Sequence, residues 1–313
     1  MSNEFVPIRV STLRGDQPID FNAYIQVAEK HILYLRKGDS FEGERLKRLK
    51  DKKLRKMFIL PDDENHYRNY LSKNIEMAYD NKSNKNIVTR SEIVQGAQQS
   101  NAEEVMENAD NVEAYNTAKD AAGRYVEFLK NESALAAIMN IENVDQNIAH
   151  HGVTVATLAV ALAAKLNITD PKQTQMLTLG SLLHDFEHFH SGLQVNKPIS
   201  QFSTEDLKKY KAHPIDGARR VQDKKHFDRP VINIIMQHEE WVNGGGFPAG
   251  LTESKMDPLS VIVAPCNALD RSITFEGIPR QQAVKNLIIN CVGRYPLKYL
   301  QFLGDILQNM KVG

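Results

Sequence analysis

The sequence has almost no cysteine and no excess charge of either sign. Its 313 residues include two cysteines, and 39 Lys and Arg residues balance 39 Asp and Glu residues. Cys266 and Cys291 lie in apolar surroundings, which argues against a disulfide framework and against a thiolate zinc site. A net charge of zero gives no electrostatic reason to expect a nucleic-acid polymer or an acidic membrane as a partner.

Long apolar runs and a leader pattern are also missing. The longest apolar stretch, Val153 to Leu166, is too short to cross a bilayer. The first residues, MSNEFVPIRV, lack the charged-then-apolar pattern of a signal peptide. Sparse cysteine suits a reducing compartment. We therefore expect a cytoplasmic protein without a membrane partner.

The first 80 residues predict a small α/β domain with a regulatory or partner-binding role. Segments rich in β-branched and aromatic residues predict strands in FVPIRVSTL, FNAYIQV, KHILYLRK and RKMFILP. Helical patterns occupy EGERLKRLKDKK and DDENHYRNYLSKNIEMAYD. The polar stretch DNKSNKN at 80–86 predicts the domain boundary. Helical patterns then predict a connector at 81–139, for which ordinary core packing and a homodimer contact are both open.

Residues 140–313 predict an all-helical domain that brings histidines together. Histidines and carboxylates stand at the ends of apolar helical segments, in the groups His150-His151, His184-Asp185, His213 and His238-Glu239. Apolar residues follow His151 at helical spacing, so His151 faces the core and His150 lies about 100° around the helix. We prefer His151 as a ligand, with His150 as second choice. Converging helices with such side chains are typical of carboxylate-histidine metal centres.

The ordered set of these motifs resembles the HD-GYP family of metal-dependent phosphohydrolases. The resemblance runs from about Asn140 to Val284 and includes HHG, LLHD, HP, HEE, GGGFP and NALD. It implies that the helical domain is an all-α HD-type bundle. With the α/β domain that the residue patterns predict before it, we expect an α+β protein overall. The resemblance further implies bound iron or manganese and hydrolysis of cyclic di-GMP, with a hydroxide activated by two metals attacking phosphorus.

The resemblance also implies the ligands. It makes His151, His184, His213 and His238 metal ligands and Asp185 the catalytic bridge between two ions. Glu239 stands where the family has a second histidine, and its carboxylate is a further candidate metal ligand. The last family ligand is an aspartate, and the alignment that we prefer puts Asn267 at its position, with Asp270 as the alternative.

The chain departs from the family pattern at several positions. Asn147 replaces a glutamate that accompanies a third metal, so we expect two divalent ions. His188 replaces the lysine of HDxGK and would donate to a phosphate only when protonated. Phe247 replaces the tyrosine of GYP. Three further substrate contacts are predicted, from the side chain of Lys197 and from the loop glycines Gly245 and Gly246.

Three functions follow from these motifs. Retention of five ligand-type residues in order favours a cyclic di-GMP phosphodiesterase. The changes at His188, Glu239 and Phe247 favour a weak or inactive module that binds cyclic di-GMP or a signalling partner protein, with the N-terminal domain as the partner-binding part. A third hypothesis is that the protein is an HD phosphohydrolase that acts on another nucleotide.

Overall fold

The computed structural model describes residues 5–15, 17–141 and 147–309. The chain divides into two compact units, residues 1–100 and residues 101–313. The first contains all four strands and the second is helical. The predicted α+β fold class, with the helical domain following the sheet domain, is therefore confirmed.

The first unit is built on a four-stranded antiparallel sheet with the order β1-β4-β2-β3. Met57 and Ile59 of β4 are fully buried while Lys56 and Phe58 are half-buried, so one face of the strand covers the core. Phe21 and Phe41 fill the same core. The elements are β1 (Val6–Arg9), β2 (Ala23–Val27), β3 (Lys30–Leu35), α1 (Glu44–Asp51), β4 (Lys56–Ile59) and α2 (Glu64–Tyr79).

The next helix, α3 (Ile87–Glu107), runs across the division between the units. The sequence put a boundary at residue 80 and took 81–139 as one connector, whereas in the structure the first unit extends to Ser100. The reason is tertiary: Arg14 donates a hydrogen bond of 2.7 Å to the carbonyl of Glu92, so the start of α3 packs on the first unit. The polar stretch at 80–86 is a turn inside that unit.

The second unit is a helical bundle whose centre is formed by two consecutive helices, α6 and α7. Asn147 caps α6 by accepting from the Ala149 amide at 2.8 Å, and Asp170 caps α7 by accepting from the Gln173 amide at 2.7 Å. The helices are α4 (Val112–Leu129), α5 (Glu132–Met139), α6 (Ile148–Lys165), α7 (Pro171–Leu183), α8 (Thr204–Val221), α9 (Arg229–Gln237), α10 (Pro258–Thr274), α11 (Arg280–Asn290) and α12 (Leu297–Asn309).

Helix α6 is a long, strongly apolar helix of the bundle. Among the described residues it alone is long and apolar enough, by length and composition, to cross a membrane. Yet 83% of that window is buried inside the protein. The apolar surface of α6 is thus used by the helical core, and His151 lies at the start of this buried helix.

Helix α8 contains a proline that, in the sequence, predicts a break between two helices. The structure shows one continuous helix from Thr204 to Val221 with Pro214 inside it. Proline lacks an N–H, so it leaves the carbonyl four residues earlier without its helical donor. That carbonyl belongs to Tyr210, and the His213 ring supplies the missing hydrogen bond.

Candidate metal centre

Four segments of the second unit carry buried histidines to one place. His151 lies in the first turn of α6, His184 and Asp185 directly follow α7, His213 lies within α8 and His238 directly follows α9. Each of these side chains belongs to a residue that is at most 4% exposed. The structure therefore brings together the five residues for which the sequence predicted ligand roles.

Asp185 stands between two clusters of histidines. Its Oδ2 lies 3.6 Å from Nε2 of His184 and 3.8 Å from Nε2 of His151. Its Oδ1 lies 3.3 Å from Nε2 of His213 and 3.5 Å from Nε2 of His238. Each carboxylate oxygen thus faces its own pair of imidazoles. Two buried clusters that share a bridging aspartate suggest a dinuclear metal site.

Backbone carbonyls set the tautomers of three of these histidines. Nδ1 of His184 donates to the Ser181 carbonyl at 2.7 Å, Nδ1 of His213 to the Tyr210 carbonyl at 2.5 Å, and Nδ1 of His238 to the Ile235 carbonyl at 2.9 Å. A carbonyl only accepts, so each neutral ring has its proton on Nδ1 and a lone pair on Nε2. All three lone pairs point toward Asp185.

Buried lone pairs that face one another favour the binding of a cation. Nε2 of His184 is buried and has no hydrogen-bond partner within the described ranges. Nε2 of His213 and Nε2 of His238 face each other at 2.8 Å, and two lone pairs at that distance repel unless a proton or a metal ion lies between them. Imidazole nitrogens and a carboxylate suit divalent iron, manganese or zinc. The side chains therefore fit the predicted pair of divalent ions.

His151 is held from both sides. Its Nδ1 lies 2.6 Å from Oδ2 of Asp270, and its Nε2 lies 3.0 Å from Oδ1 of Asn267. The Asn267 amide nitrogen donates to Oε1 of Glu239 at 3.2 Å, which turns the amide oxygen toward His151. This geometry favours Asn267 over Asp270 as the ligand. Asp270 instead orients the ring from the other side, as carboxylates behind metal-bound histidines do.

Two of the alternative ligands lie elsewhere. His150 faces a separate cavity that is lined by Thr154, Asp270 and Arg280 among others. Glu239 belongs to neither cluster. Its Oε1 accepts from the Tyr210 hydroxyl at 2.5 Å as well as from Asn267. The carboxylate at this position is engaged in orienting its neighbours.

His188 is brought to the centre but is neutral there. Its Nε2 lies 3.8 Å from Oδ1 of Asp185, and its ring centroid lies 4.0 Å from that of His213. Burial, together with the neighbouring His213, lowers the pKa of His188 well below its usual range. The sequence assigned it a donor role that requires a protonated ring, and the site opposes that protonation.

The predicted substrate contacts are only partly at the centre. Phe247 packs 6.4 Å from His213 and 5.8 Å from Tyr210, measured between ring centroids. Lys197 pairs with Asp206 at 3.4 Å. The Gly245 amide donates to the Asn243 side chain at 2.9 Å. At Gly246, a Cβ would lie 2.6 Å from the Glu239 carbonyl, so close packing of the loop requires this glycine.

Sequence reasoning missed two residues beside the centre, Tyr210 and Arg271. The Tyr210 ring stacks on His188 at 5.8 Å and 9°, and its hydroxyl reaches Glu239. The Arg271 guanidinium lies 4.8 Å above the Tyr210 ring. Helical spacing was a usable signal for both, because Tyr210 lies three residues before His213 and Arg271 four residues after Asn267.

The electrostatics of the clusters differ from one histidine to the next. Burial lowers the pKa of His184 to about 3. Burial opposes a charge on His151 and His238 too, but the hydrogen bond of His151 to Asp270 and that of His238 to Asp185 raise the pKa of each ring above its usual value. Burial also opposes a charge on Asp185, but the histidines around it, including hydrogen-bonded His213 and His238, hold its pKa well below the usual range.

These shifts predict that metal binding releases protons. A raised pKa means that His151 and His238 are protonated to a higher pH in the metal-free protein, and an ion must displace those protons. We expect metal affinity to fall as the pH is lowered from about 8 to about 6. Calorimetry in buffers of different ionisation enthalpy measures the protons released. An affinity that does not change over this range, without proton release, would contradict the assignment.

Comparison with known proteins matches the second unit to one family. The family model described as HD domain matches residues 129–288. Bd1817, an HDG"Y"P protein from Bdellovibrio bacteriovorus, has a solved structure that is similar over 97% of this chain and 100% of its own, with 64% identity and a TM-score of 0.93. That similarity extends over the sheet unit as well as the helical one.

Two curated relatives are more distant. Cyclic di-GMP phosphodiesterase PA4108 of Pseudomonas aeruginosa is 28% identical over 143 residues, which are 45% of this chain and 34% of the relative. Cyclic di-GMP phosphodiesterase PdeB of Borreliella burgdorferi is 22% identical over 174 residues, which are 50% of this chain and 45% of the relative. The chain thus spans less than half the length of both.

Proposed function

The chain belongs to the HD-GYP branch of the HD-domain family, and from this premise we propose that it is a two-metal phosphodiesterase that hydrolyses cyclic di-GMP. The observation that carries the proposal is Asp185, whose two oxygens face separate pairs of histidines. Such a bridge suits hydrolysis of a phosphate ester, because two ions held together activate a water molecule and neutralise charge on the phosphoryl oxygens.

The chain's own residues prepare that site. His184, His213 and His238 present lone pairs because backbone carbonyls accept from their Nδ1 atoms. Asp270 orients His151. Phe247 and Tyr210 pack beside His213. We assign iron or manganese to the site, since mixed imidazole and carboxylate donors suit both.

Cyclic di-GMP is the substrate proposed because the activity is named in both curated relatives. The rival function is a binding module that keeps the metals and holds the dinucleotide without cleaving it. Two observations favour that rival: His188 is a neutral ring, and Phe247 offers no hydroxyl. Direct measurement of turnover separates the two functions.

The test is turnover by anaerobically purified protein loaded with iron or manganese, with products separated by chromatography and metal content measured on the same sample. We expect a linear dinucleotide to form in proportion to the protein that holds two ions. Bound but uncleaved cyclic di-GMP on two-metal protein would establish the binding module. Cleavage of a generic diester, bis(p-nitrophenyl) phosphate, without cleavage of cyclic di-GMP would indicate another phosphate ester as substrate.

A further inference from the structure

Arg271 is a buried cation with two donor atoms that make no hydrogen bond to the described residues. The residue is 6% exposed. Its Nε and Nη2 atoms are buried and make no hydrogen bond to any residue that the structure describes. Burying a guanidinium with unsatisfied N–H groups is costly. An arrangement of this kind is expected where a ligand completes the hydrogen bonds.

Aromatic rings position the guanidinium without using its N–H groups. Its Cζ lies 4.8 Å from the ring centroid of Tyr210, 5.5 Å from that of Phe275 and 5.8 Å from that of Phe202. Cation–π contacts engage the flat face of a guanidinium, whereas its N–H groups point outward in the plane. The rings therefore hold Arg271 in place and leave its edge available to an acceptor.

The guanidinium is adjacent to the metal centre. Arg271 lies four residues after Asn267 on α10, so the two side chains share one helix face about one turn apart. Asn267 places its oxygen 3.0 Å from Nε2 of His151. The rings that flank Arg271 are themselves at the centre, with Tyr210 5.1 Å from His213 and Phe275 5.2 Å from His151.

The other cation considered for a phosphate is unsuited to the task. Lys197 is paired with Asp206 and stacks 5.3 Å over the Phe202 ring. Arg271 is always charged, and a guanidinium fork matches two oxygens of a phosphate.

We propose that Arg271 binds the non-bridging oxygens of the phosphate group that sits at the dinuclear centre. This deepens the proposed function and rests on it for the class of ligand, a phosphate ester. Arg271 would hold the phosphoryl group against the two clusters and supply a positive charge there, since Lys197 is paired with Asp206.

Inorganic phosphate is the probe that tests this proposal. We expect Arg271→Met to weaken phosphate binding to the metal-loaded protein by about 10- to 100-fold, the equivalent of losing charge-assisted hydrogen bonds. Arg271→Lys should lose less. Arg219→Met, at an exposed arginine that pairs with Asp216, is the matched control and should bind as the wild type does. Calorimetry gives the affinities, and metal analysis must show two ions in each variant.

Thermal unfolding separates ligand binding from a structural role. Met keeps most of the apolar stem and removes the unsatisfied charge, so without phosphate Arg271→Met should melt at the same or a higher temperature than wild type. Added phosphate should raise the melting temperature of the wild type more than that of the variant. A variant that melts lower, fails to fold or binds phosphate like wild type would overturn the proposal.

Phosphate binding also distinguishes this proposal from the proposed activity. If Arg271→Met loses phosphate affinity while the wild type does not cleave cyclic di-GMP, the phosphate-binding role of Arg271 is supported and the proposed activity is wrong. If the wild type cleaves cyclic di-GMP and Arg271→Met does not change phosphate affinity, the proposed activity is supported and the phosphate-binding role of Arg271 is wrong.

Discussion

Asp185→Asn is expected to remove the paired metals and to lower turnover by about 1,000-fold or more. An amide has the shape of the carboxylate but only one oxygen and no charge, so it cannot face both clusters as an acceptor. An NH2 group in the place of Oδ1 would instead point toward the imidazole lone pairs of His213 and His238. Metal analysis of the purified variant and chromatography of cyclic di-GMP products measure the two effects.

Asp216→Asn is the matched control for this experiment. Asp216 lies on α8 with an exposed side chain that pairs with Arg219, and loss of such a surface pair has little effect on stability. It should retain two ions and wild-type turnover. If Asp185→Asn also retained two ions and full turnover, Asp185 would not be the bridge and the central assignment would be wrong.

Gly152→Ala is expected to disturb the same centre through the packing of helices. Gly152 directly follows His151, and a Cβ on it would lie 2.8 Å from the Leu182 carbonyl oxygen and 3.3 Å from the Leu182 carbonyl carbon. Leu182 lies two residues before His184. The added methyl group would therefore push α6 away from α7. At this point the two helices bring the rings of His151 and His184 together, with their centroids 5.0 Å apart.

The cost of that displacement should appear in stability and in metal content. Forcing an extra methyl group into a packed interior costs about 1–3 kcal/mol, and we expect a lower melting temperature. We also expect the metal content to fall toward one ion per chain, because the cluster of His213 and His238 does not include α6. Calorimetric unfolding and metal analysis of the same preparation measure both.

A second glycine provides the comparison. Gly123 lies in α4, and a Cβ there would meet only the side chain of Gln175, at 3.2 Å from its Nε2. That side chain can move, and alanine favours a helix over glycine by up to about 1 kcal/mol. Gly123→Ala should be neutral or stabilising and should hold two ions. An unchanged melting temperature and two ions in Gly152→Ala would show that the contact with Leu182 does not position the ligands.

Local patterns in the sequence were sufficient to predict the strands and helices and the candidate ligands of the metal centre. Alternating or helical spacing of apolar residues predicted the strands and helices, because these patterns reflect which face of each element is buried. The same spacing preferred His151 over His150 at the start of α6. The order of the motifs predicted ligand roles for five residues, and the structure brings their side chains together: His151, His184, Asp185, His213 and His238.

Contacts between distant segments decided what the patterns left open. The sequence preferred Asn267 as a ligand with Asp270 as the alternative, and the structure adds that the two side chains lie on opposite nitrogens of His151. The sequence makes Glu239 a candidate metal ligand, whereas in the structure its carboxylate accepts hydrogen bonds from Tyr210 and Asn267. The end of the first unit at Ser100 depends on how α3 packs, which no composition shift marks.

The sequence by itself therefore determined the α+β class, the helices that carry the histidines and the residue types that can hold two ions. Only the tertiary structure decided which oxygen of Asp185 faces which pair, that His188 is a neutral buried ring and that Arg271 lies beside the centre with two donor atoms that make no hydrogen bond to the described residues. The physical reason is range: periodicity records the burial of one element, whereas charge, tautomer and coordination depend on atoms from several elements meeting within a few ångströms.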